Sequence, residues 1–409
     1  MPARPHSKEL TPVHLRDSPP DHAFRTALRG WLADTLPSLP PAPAPDDWPA
    51  RRAYDARWQR LLFEAGYAGI HWPREFGGRG ASPTEQLVFL EETALAGAPD
   101  TDLNFVALLH AGPTLIMEGT REQQQFHLPR ILRGESVWCQ GFSEPGAGSD
   151  LASLRTRAVR DGDHYVVTGQ KIWTSGAEIA DYCELLVRTD PDAPKHQGIS
   201  WLILPMATPG VEVRPLRTMQ GGRDFAELFL DRVRVRVPAA NLVGAENDGW
   251  RVAMVTFGFE RGTAFVREML DARRLVVEVA QLVRSRPPGS GLGWDDAGLR
   301  REIGVVAAEL DALWALTKRN VSRAQDGPVP VAGGSAFKLF YGEARHHLGD
   351  VVMRVLDRAA LSAGDVAGLP NSRLVDAMTH GYAVNIAAGT TQIQRNIVAE
   401  RVLGLPKER

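Results

Sequence analysis

The sequence is poor in cysteine and in lysine. Among 409 residues there are only two cysteines, Cys139 and Cys183, and six lysines beside 41 arginines. Two cysteines exclude a disulfide-stabilised scaffold and any zinc site with three or four thiolate ligands. The arginine excess is most simply the compositional bias of a GC-rich genome, and a preference for arginine in ion pairs is the alternative.

Several functional classes lack their sequence signals. No apolar run approaches the roughly 18 residues of a membrane span, and the first ten residues, MPARPHSKEL, lack the apolar core of a secretory signal. A net charge of −2 gives no broad basic surface for nucleic acid. The 11 histidines show no metal-ligand spacing, and HExxH, GxxxxGK[ST] and GxSxG motifs are missing. These absences predict a cytoplasmic, multi-domain enzyme without a metal, membrane or nucleic-acid partner.

The periodicity of apolar residues divides the chain into helical, β-rich and helical parts. Residues 1–49 hold 11 of the 29 prolines and form a predicted Pro-rich segment with a short helix at 23–36, flanked by loops at 18–21 and 39–49. Residues 50–136 have helical spacing, 137–245 are β-rich, and 246–409 are helical again. The predicted strands are 164–168, 184–188, 199–204 and 227–237. The predicted C-terminal helices are about 250–285, 296–325, 335–364, 371–386 and 390–403, long enough to suggest an antiparallel bundle.

The densest group of small and polar residues is Gly141 to Asp150, with the sequence GFSEPGAGSD. Three small residues and a serine follow one another at 146–149. Such a loop lets backbone N–H groups approach an anion closely, and the hydroxyls of Ser143 and Ser149 add donors. A glycine-rich turn between domains is the alternative. The loop is only half of a dinucleotide fingerprint, because Leu151 stands where its last glycine would be.

A second segment, Gly169 to Gly176, places the indole of Trp173 beside two hydroxyl residues, Thr174 and Ser175. An indole suits the face of a flat ring, and hydroxyls suit the heteroatoms at its edge. A strand end with an ordinary core tryptophan is the alternative.

A third segment is Ala388 to Arg395, in which Gly389 leads into a helix with Thr390 near its N-cap. The N-terminus of a helix offers free N–H groups and a positive dipole end to a phosphate. Simple helix capping is the alternative.

Together these segments resemble the acyl-CoA dehydrogenase family of FAD enzymes. Residues 141–150 are similar to the family's first signature, and 390–406 are similar to its C-terminal one. The resemblance covers about residues 50–409. It implies an α+β fold with an N-terminal helical domain, a central β-barrel or sandwich and a C-terminal antiparallel four-helix bundle. It also implies α,β-dehydrogenation of an acyl-CoA thioester, in which a carboxylate removes the α-proton, flavin N5 takes the β-hydride, and an electron-transfer flavoprotein receives the electrons.

The resemblance further implies positions for both ligands. Ser143 would hydrogen-bond the flavin ring, Trp173 would cover it, and Ser149 would lie near the pyrophosphate and the pantetheine. The residues expected at FAD are Gln140, Ser143, Gly148, Ser149, Trp173, Thr174, Ser175, Thr390 and Gln392. Those expected at the substrate are Ser149, Arg261, Ala388 and Gly389.

The chemistry requires one carboxylate base in a dry pocket, where desolvation raises its pKa. Many family members carry this glutamate directly before the Gly-Thr of the last signature, where this chain has Ala388. Another placement in the family precedes an arginine on the first long C-terminal helix, and Glu260 falls there after eight uncharged residues. Glu260 is the predicted base, and a surface pair with Arg261 is the alternative. Glu92 is a weaker candidate, which we predict to belong to a solvated acidic pair, and a place on the helix of the acyl pocket is the alternative.

The oligomeric state and two other functions stay open. The resemblance implies a homotetramer or dimer, but residues 282–296 lack the family's Arg-x-x-Phe-Gly-like element that reaches a neighbouring subunit's adenosine. A mixed tetramer with a related chain is therefore an alternative, in which this chain could be a non-catalytic subunit. A flavin monooxygenase of the same fold is another, since such members also lack the glutamate at 388. The sequence does not identify the acyl group.

Overall fold

A computed structural model describes residues 16–44, 46–100, 102–230, 235–263, 265–287, 289, 292–324, 331–361 and 371–407, without the side chains of 102, 259–263, 324, 331–333, 371 and 372. The helices are α1 (Pro19–Thr35), α2 (Trp48–Glu64), α3 (Pro83–Leu95), α4 (Gly112–Glu118), α5 (Arg121–Leu132), α6 (Gly249–Thr263), α7 (Val266–Arg284), α8 (Ala297–Ala324), α9 (Val331–Leu356), α10 (Asn371–Ile386) and α11 (Thr391–Ile397). The strands are β1 (Trp138–Gly141), β2 (Arg157–Asp161), β3 (His164–Thr168), β4 (Gln170–Ser175), β5 (Tyr182–Arg188), β6 (Ile199–Pro205), β7 (Glu212–Leu216), β8 (Phe225–Phe229), β9 (Val235–Pro238) and β10 (Leu242–Val243). Among the described helices, none is both long and apolar enough to cross a membrane.

The chain forms two compact units that join segments distant in sequence. The first unit consists of residues 1–30, 82–94 and 265–409, and the second of 31–81 and 95–264. The division of the sequence into parts at 49, 136 and 245 stays a prediction.

In the first unit, helices α7 to α10 pack around one apolar core, as the bundle prediction requires. Spacings of three and four residues put one face of α7 into this core. Its buried residues there include Met269, Ala272, Val276, Val279 and Val283, each at most 5% exposed. The predicted helix at 371–386 is confirmed with those bounds, whereas the one at 335–364 ends earlier, at Leu356, and a 3₁₀ turn follows.

The single helix predicted over 250–285 is wrong, because the chain forms α6 and α7 there. Phe265, which precedes α7, has φ −99° and ψ 6°, outside the helical range. Val252 and Ala253 of α6 are fully buried in the second unit, while α7 supplies the core of the first. The helix therefore breaks where the chain passes from one unit to the other.

The second unit contains two sheets with a shared apolar core. One sheet has seven strands in the order β10-β6-β5-β2-β3-β9, with β1 added in parallel to β5, and the other has the order β4-β8-β7. Alternate residues of β3, Tyr165 and Val167, are fully buried and meet Leu228 of the smaller sheet in one cluster. This arrangement is a two-layer sandwich.

The strand predicted over 227–237 is also wrong as a single strand. Its first part is β8 in the smaller sheet and its second part is β9 in the larger one. In the sequence, the apolar alternation of this stretch is offset at 231–232, between the two strands and outside the described residues. The predicted loop at 18–21 is instead the start of α1: proline fits the first helical position, and Ser18 accepts a hydrogen bond from the backbone N–H of Asp21.

Candidate active site

The loop after β1 contains a tight turn with open space beside it. Glu144 and Ala147 exchange two backbone hydrogen bonds, with N···O distances of 3.1 and 3.0 Å. A Cβ atom placed on Gly146 or Gly148 would meet nothing within 4 Å, and neither residue has a positive φ. Neither the turn nor a neighbouring atom requires glycine at these positions, so the small residues leave room for something outside the chain.

A buried ion pair lies beneath this loop. The Lys171 side chain is fully buried, and its Nζ donates to Glu144 Oε1 (2.8 Å) and to the Phe142 carbonyl (3.1 Å). The Glu144 carboxylate also accepts hydrogen bonds from the backbone N–H groups of Arg155 (2.7 Å) and Thr156 (2.8 Å). Burial acts to raise the pKa of Glu144, but the Lys171 charge and these donors outweigh it, and the net pKa is lowered.

Trp173 occupies an unusual position for a large aromatic residue. The register between β4 and β8 shifts between Lys171 and Thr174, and Trp173, inside that shift, has φ 60°. Its side chain is 57% exposed and meets Phe225 edge-on, with ring centroids 5.9 Å apart. A left-handed conformation costs a bulky residue about 1–3 kcal/mol. The core-tryptophan alternative is wrong, and the bulge presents the indole on the surface.

The next two residues differ sharply in burial. Thr174 is fully buried, and its hydroxyl has no hydrogen-bond partner among the described residues. Ser175 is exposed. An unsatisfied buried hydroxyl costs about 1–3 kcal/mol, which usually indicates a missing partner.

Gln140 lies in a polar cluster that sequence reasoning missed. Its Nε2 donates to Glu184 Oε1 (2.8 Å) and lies 3.1 Å from His110 Nδ1. Glu184 is fully buried and His110 is 3% exposed. The contact with FAD predicted for Gln140 stays a prediction, and the described bonds of its side chain go to this cluster.

Helix α6, which carries Glu260 and Arg261, is fixed beside the glycine-rich loop. The side chains of both residues lie outside the described part of the chain. Three residues before Glu260, the ring of Phe257 meets that of Phe142 edge-on, with centroids 5.8 Å apart, and Phe142 directly precedes Ser143. The residue directly before Phe257 is Thr256, and its hydroxyl lies 2.8 Å from that of Thr114 on α4.

The segment 388–392 belongs to the other compact unit. Thr390 caps α11 by accepting a hydrogen bond from the backbone N–H of Ile393 (3.2 Å), as predicted. Ala388 and Gly389 both have left-handed backbones, with φ 51° and 83°. Gln392 is exposed. The Thr390 carbonyl also accepts a hydrogen bond from the backbone N–H of Gln394 (2.9 Å), and both hydrogen bonds agree with the capping alternative.

Glu92 is not part of a solvated acidic pair, and that prediction is wrong. Its side chain is 3% exposed and is bound by two guanidinium groups of α1 in the first unit. Arg29 donates through Nε (2.5 Å) and Nη2 (2.9 Å), and Arg25 binds it too. A carboxylate that two cations already neutralise is a poor general base.

Comparison with known proteins identifies the family. Models of the acyl-CoA dehydrogenase N-terminal, middle and C-terminal domains match residues 18–135, 139–233 and 247–403. Acyl-CoA dehydrogenase IpdE1 of Mycobacterium tuberculosis is 38% identical over 391 residues, which cover 94% of this chain and 98% of that protein. This chain belongs to the acyl-CoA dehydrogenase family. It is an FAD-dependent oxidoreductase.

Solved structures confirm the fold of this acyl-CoA dehydrogenase. The ChsE4-ChsE5 complex from Mycobacterium tuberculosis matches with a TM-score of 0.81 and 34% identity, over 97% of this chain and all of that one. The G363A variant of the Tcur3481-Tcur3483 steroid ACAD matches with a TM-score of 0.80 and 33% identity, over 95% and 100%. The predicted α+β class, with helical parts around a central sheet domain, is confirmed.

The described residues of this acyl-CoA dehydrogenase fit FAD. Open space beside Gly146 and Gly148 suits a pyrophosphate, the exposed indole of Trp173 suits a ring face, and the hydroxyl of Thr174 lacks a partner within the described chain. The sequence analysis did not predict the Lys171–Glu144 ion pair beneath the glycine-rich loop. Its only sign in the sequence is that Glu144 lies in the segment 141–150 and Lys171 in the segment 169–176.

Proposed function

We propose that this acyl-CoA dehydrogenase oxidises the α,β bond of an acyl-CoA thioester, with Glu260 as the base. The observation that carries the proposal is the contact between Phe257 and Phe142. It fixes α6, within one turn of Glu260, beside the residue that precedes Ser143 in the flavin signature. Glu260, Ser143 and Trp173 all belong to the second compact unit.

In this proposal each residue has a limited task. Bound FAD supplies the hydride acceptor. Ser143 and Ser175 hold the ring edge, Trp173 covers the ring, and Gly148 and Ser149 hold the pyrophosphate. Glu260 takes the α-proton of the thioester, and Arg261 contacts the substrate.

The absence of a carboxylate at 388 supports the assignment of Glu260. Ala388 is left-handed, and its carbonyl accepts a hydrogen bond from Gln394 Nε2 (3.0 Å). A methyl group cannot accept a proton, so the base must come from elsewhere. Glu92 is neutralised by α1, and Glu144 is bound by Lys171 and two backbone donors.

Anaerobic bleaching of the flavin absorbance tests the proposal. Glu260→Gln keeps the side-chain shape and removes the proton acceptor, so the yellow protein should no longer bleach with an acyl-CoA that bleaches the wild type. Glu118→Gln is the matched control, because it removes a carboxylate that binds Arg251 at the start of α6 (2.6 Å). Normal turnover of the Glu260 variant would refute the assignment.

We further propose a ring-bearing, steroid-derived acyl group as the substrate class. The support is the similarity, at 33% identity, to a protein described as a steroid ACAD. The test compares bleaching rates with short straight, long straight, branched and steroid-side-chain CoA thioesters. Preference for a straight chain would contradict the substrate class while leaving the reaction intact.

We also propose an electron-transfer flavoprotein as acceptor and a mixed tetramer as the assembly. The assembly is supported by the ChsE4-ChsE5 complex among the similar structures and by the missing adenosine-binding element in 282–296. Light scattering and the FAD content per chain of the purified protein test it. A homotetramer with one FAD per chain would contradict the mixed assembly.

A further inference from the structure

The Lys171–Glu144 ion pair is a buried cation–carboxylate contact beside the flavin motifs, and the proposed chemistry does not use it. Lys171 is completely buried and Glu144 is 9% exposed. A buried ion pair is weak evidence for stability, since apolar residues of similar volume often replace one without loss. Its presence here calls for a reason other than stability.

The first clue is what the pair holds on the loop. Lys171 Nζ binds the Phe142 carbonyl and the Glu144 carboxylate, which are the neighbours of Ser143 on either side. The carbonyl of Ser143 itself accepts a hydrogen bond from the backbone N–H of Ile172, 3.0 Å away. Ser143 is therefore fixed from three directions by two consecutive residues of β4.

The second clue is where Lys171 lies on its strand. The register shift of β4 begins at Lys171 and ends at Thr174, and Trp173 lies inside it with its left-handed backbone. Anchoring Lys171 in the interior fixes the start of the bulge that presents the indole. One ammonium group thus connects the two halves of the proposed ring site.

The third clue is the number of hydrogen bonds that Glu144 makes. Its two oxygens accept from Lys171 and from the backbone of Arg155 and Thr156, at 2.7–2.8 Å. The same residue closes the turn to Ala147 through its backbone. Side-chain and backbone bonds of one residue therefore fix the loop before any ligand is bound.

We propose that Lys171 and Glu144 are positioning residues that hold the Ser143 loop and the Trp173 bulge in the FAD-binding arrangement before FAD arrives; this rests on the residue roles proposed above. Preorganisation increases affinity because the free-energy cost of ordering the loop is then not part of the binding step. Loss of the pair should weaken FAD binding more than it weakens folding.

The experiment titrates FAD into the apoprotein of Lys171→Met, of Glu144→Gln and of the double variant. We expect the FAD dissociation constant to rise about tenfold or more in each, and the visible spectrum at saturating FAD to move toward that of free FAD. The control is Lys195→Met, which breaks the exposed Lys195–Asp150 pair (47% and 59% exposed) at the other end of the loop. It should change the dissociation constant by less than about threefold.

Folding is controlled within the same series. Lys171→Met leaves a carboxylate buried without its cation, whereas the double variant buries no charge and carries the test if the single variant does not fold. Lower thermal stability with an unchanged FAD dissociation constant and spectrum would overturn the inference. A wild type that binds FAD but oxidises no thioester would refute the proposed reaction alone, because these readouts do not use turnover.

Discussion

Removing the Thr174 hydroxyl should stabilise the apoprotein, although the change deletes a polar group from a proposed ligand site. Thr174→Val keeps the side-chain shape. The hydroxyl is fully buried without a partner among the described residues. Leaving it unsatisfied costs about 1–3 kcal/mol, so its removal should recover part of that. For a unit of about 200 residues, 1 kcal/mol corresponds to roughly 2–4 °C in Tm.

The matched control is Thr256→Val in the same unit. Thr256 is equally buried, but its hydroxyl lies 2.8 Å from that of Thr114. Deleting it leaves Thr114 without this partner and should lower stability by about 1 kcal/mol. The two substitutions are chemically identical and should have opposite signs.

The assay is thermal unfolding of both apoproteins, followed by titration with FAD. If FAD supplies the missing partner, Thr174→Val should also weaken FAD binding by about 0.5–1.5 kcal/mol, or roughly two- to tenfold. An apoprotein destabilised by Thr174→Val would show that this hydroxyl already has a partner, and the reasoning would be refuted.

Three further changes have definite expected outcomes. Burial raises the pKa of Asp55 to about 6, so the folded protein holds the carboxyl proton more tightly than the unfolded chain, whose pKa is about 3.9. The stability gained from this protonation is complete below about pH 3.9 and is lost as pH rises through about 6. Asp55→Asn should therefore be more stable than the wild type by about 1–2 kcal/mol at pH 7.5 and by nothing at pH 3.5, and denaturant unfolding at both pH values checks this. Glu92→Gln should cost about 1–3 kcal/mol, because Arg29 loses its described carboxylate partner and Arg25 keeps only Asp17 and Glu91; an unchanged unfolding midpoint would contradict this. Gly148→Ala meets no atom within 4 Å, so the apoprotein Tm should stay unchanged while calorimetry shows FAD binding at least about tenfold weaker; equal affinity would remove Gly148 from the site.

Local sequence patterns predict correctly those helices and strands whose bounds depend only on neighbouring residues. Alternation along 164–168 predicts β3 with its observed bounds, and the helical period of 371–386 predicts α10. The break between α6 and α7 has a tertiary cause, because each helix buries its apolar face in a different unit. The same holds for β8 and β9, which follow each other closely in the sequence but belong to two different sheets.

The candidate site likewise contains contacts that local sequence patterns do not show. Glycine, tryptophan and hydroxyl residues in short motifs indicate what can approach a ligand, and this information is present in the sequence. Glu144 and Lys171 are 27 residues apart, and Glu92 is separated from Arg29 by 63. No periodicity in the sequence relates positions so far apart. Only the folded structure shows that a cation neutralises each of these carboxylates, which makes each a poor candidate for the base.

The difference between a free carboxylate and one that is already bound by cations also decides which glutamate can be the base. A glutamate can act as a general base only if its lone pairs are not already occupied by cations and N–H donors. Glu92 and Glu144 both fail this criterion through contacts that their sequence neighbours do not show. Glu260 is favoured because α6 places its backbone beside the flavin signature, through the contact of Phe257 with Phe142. The helix break before α7 supports the same conclusion, since it leaves α6 in the unit that contains Ser143 and Trp173, while Ala388 belongs to the other unit.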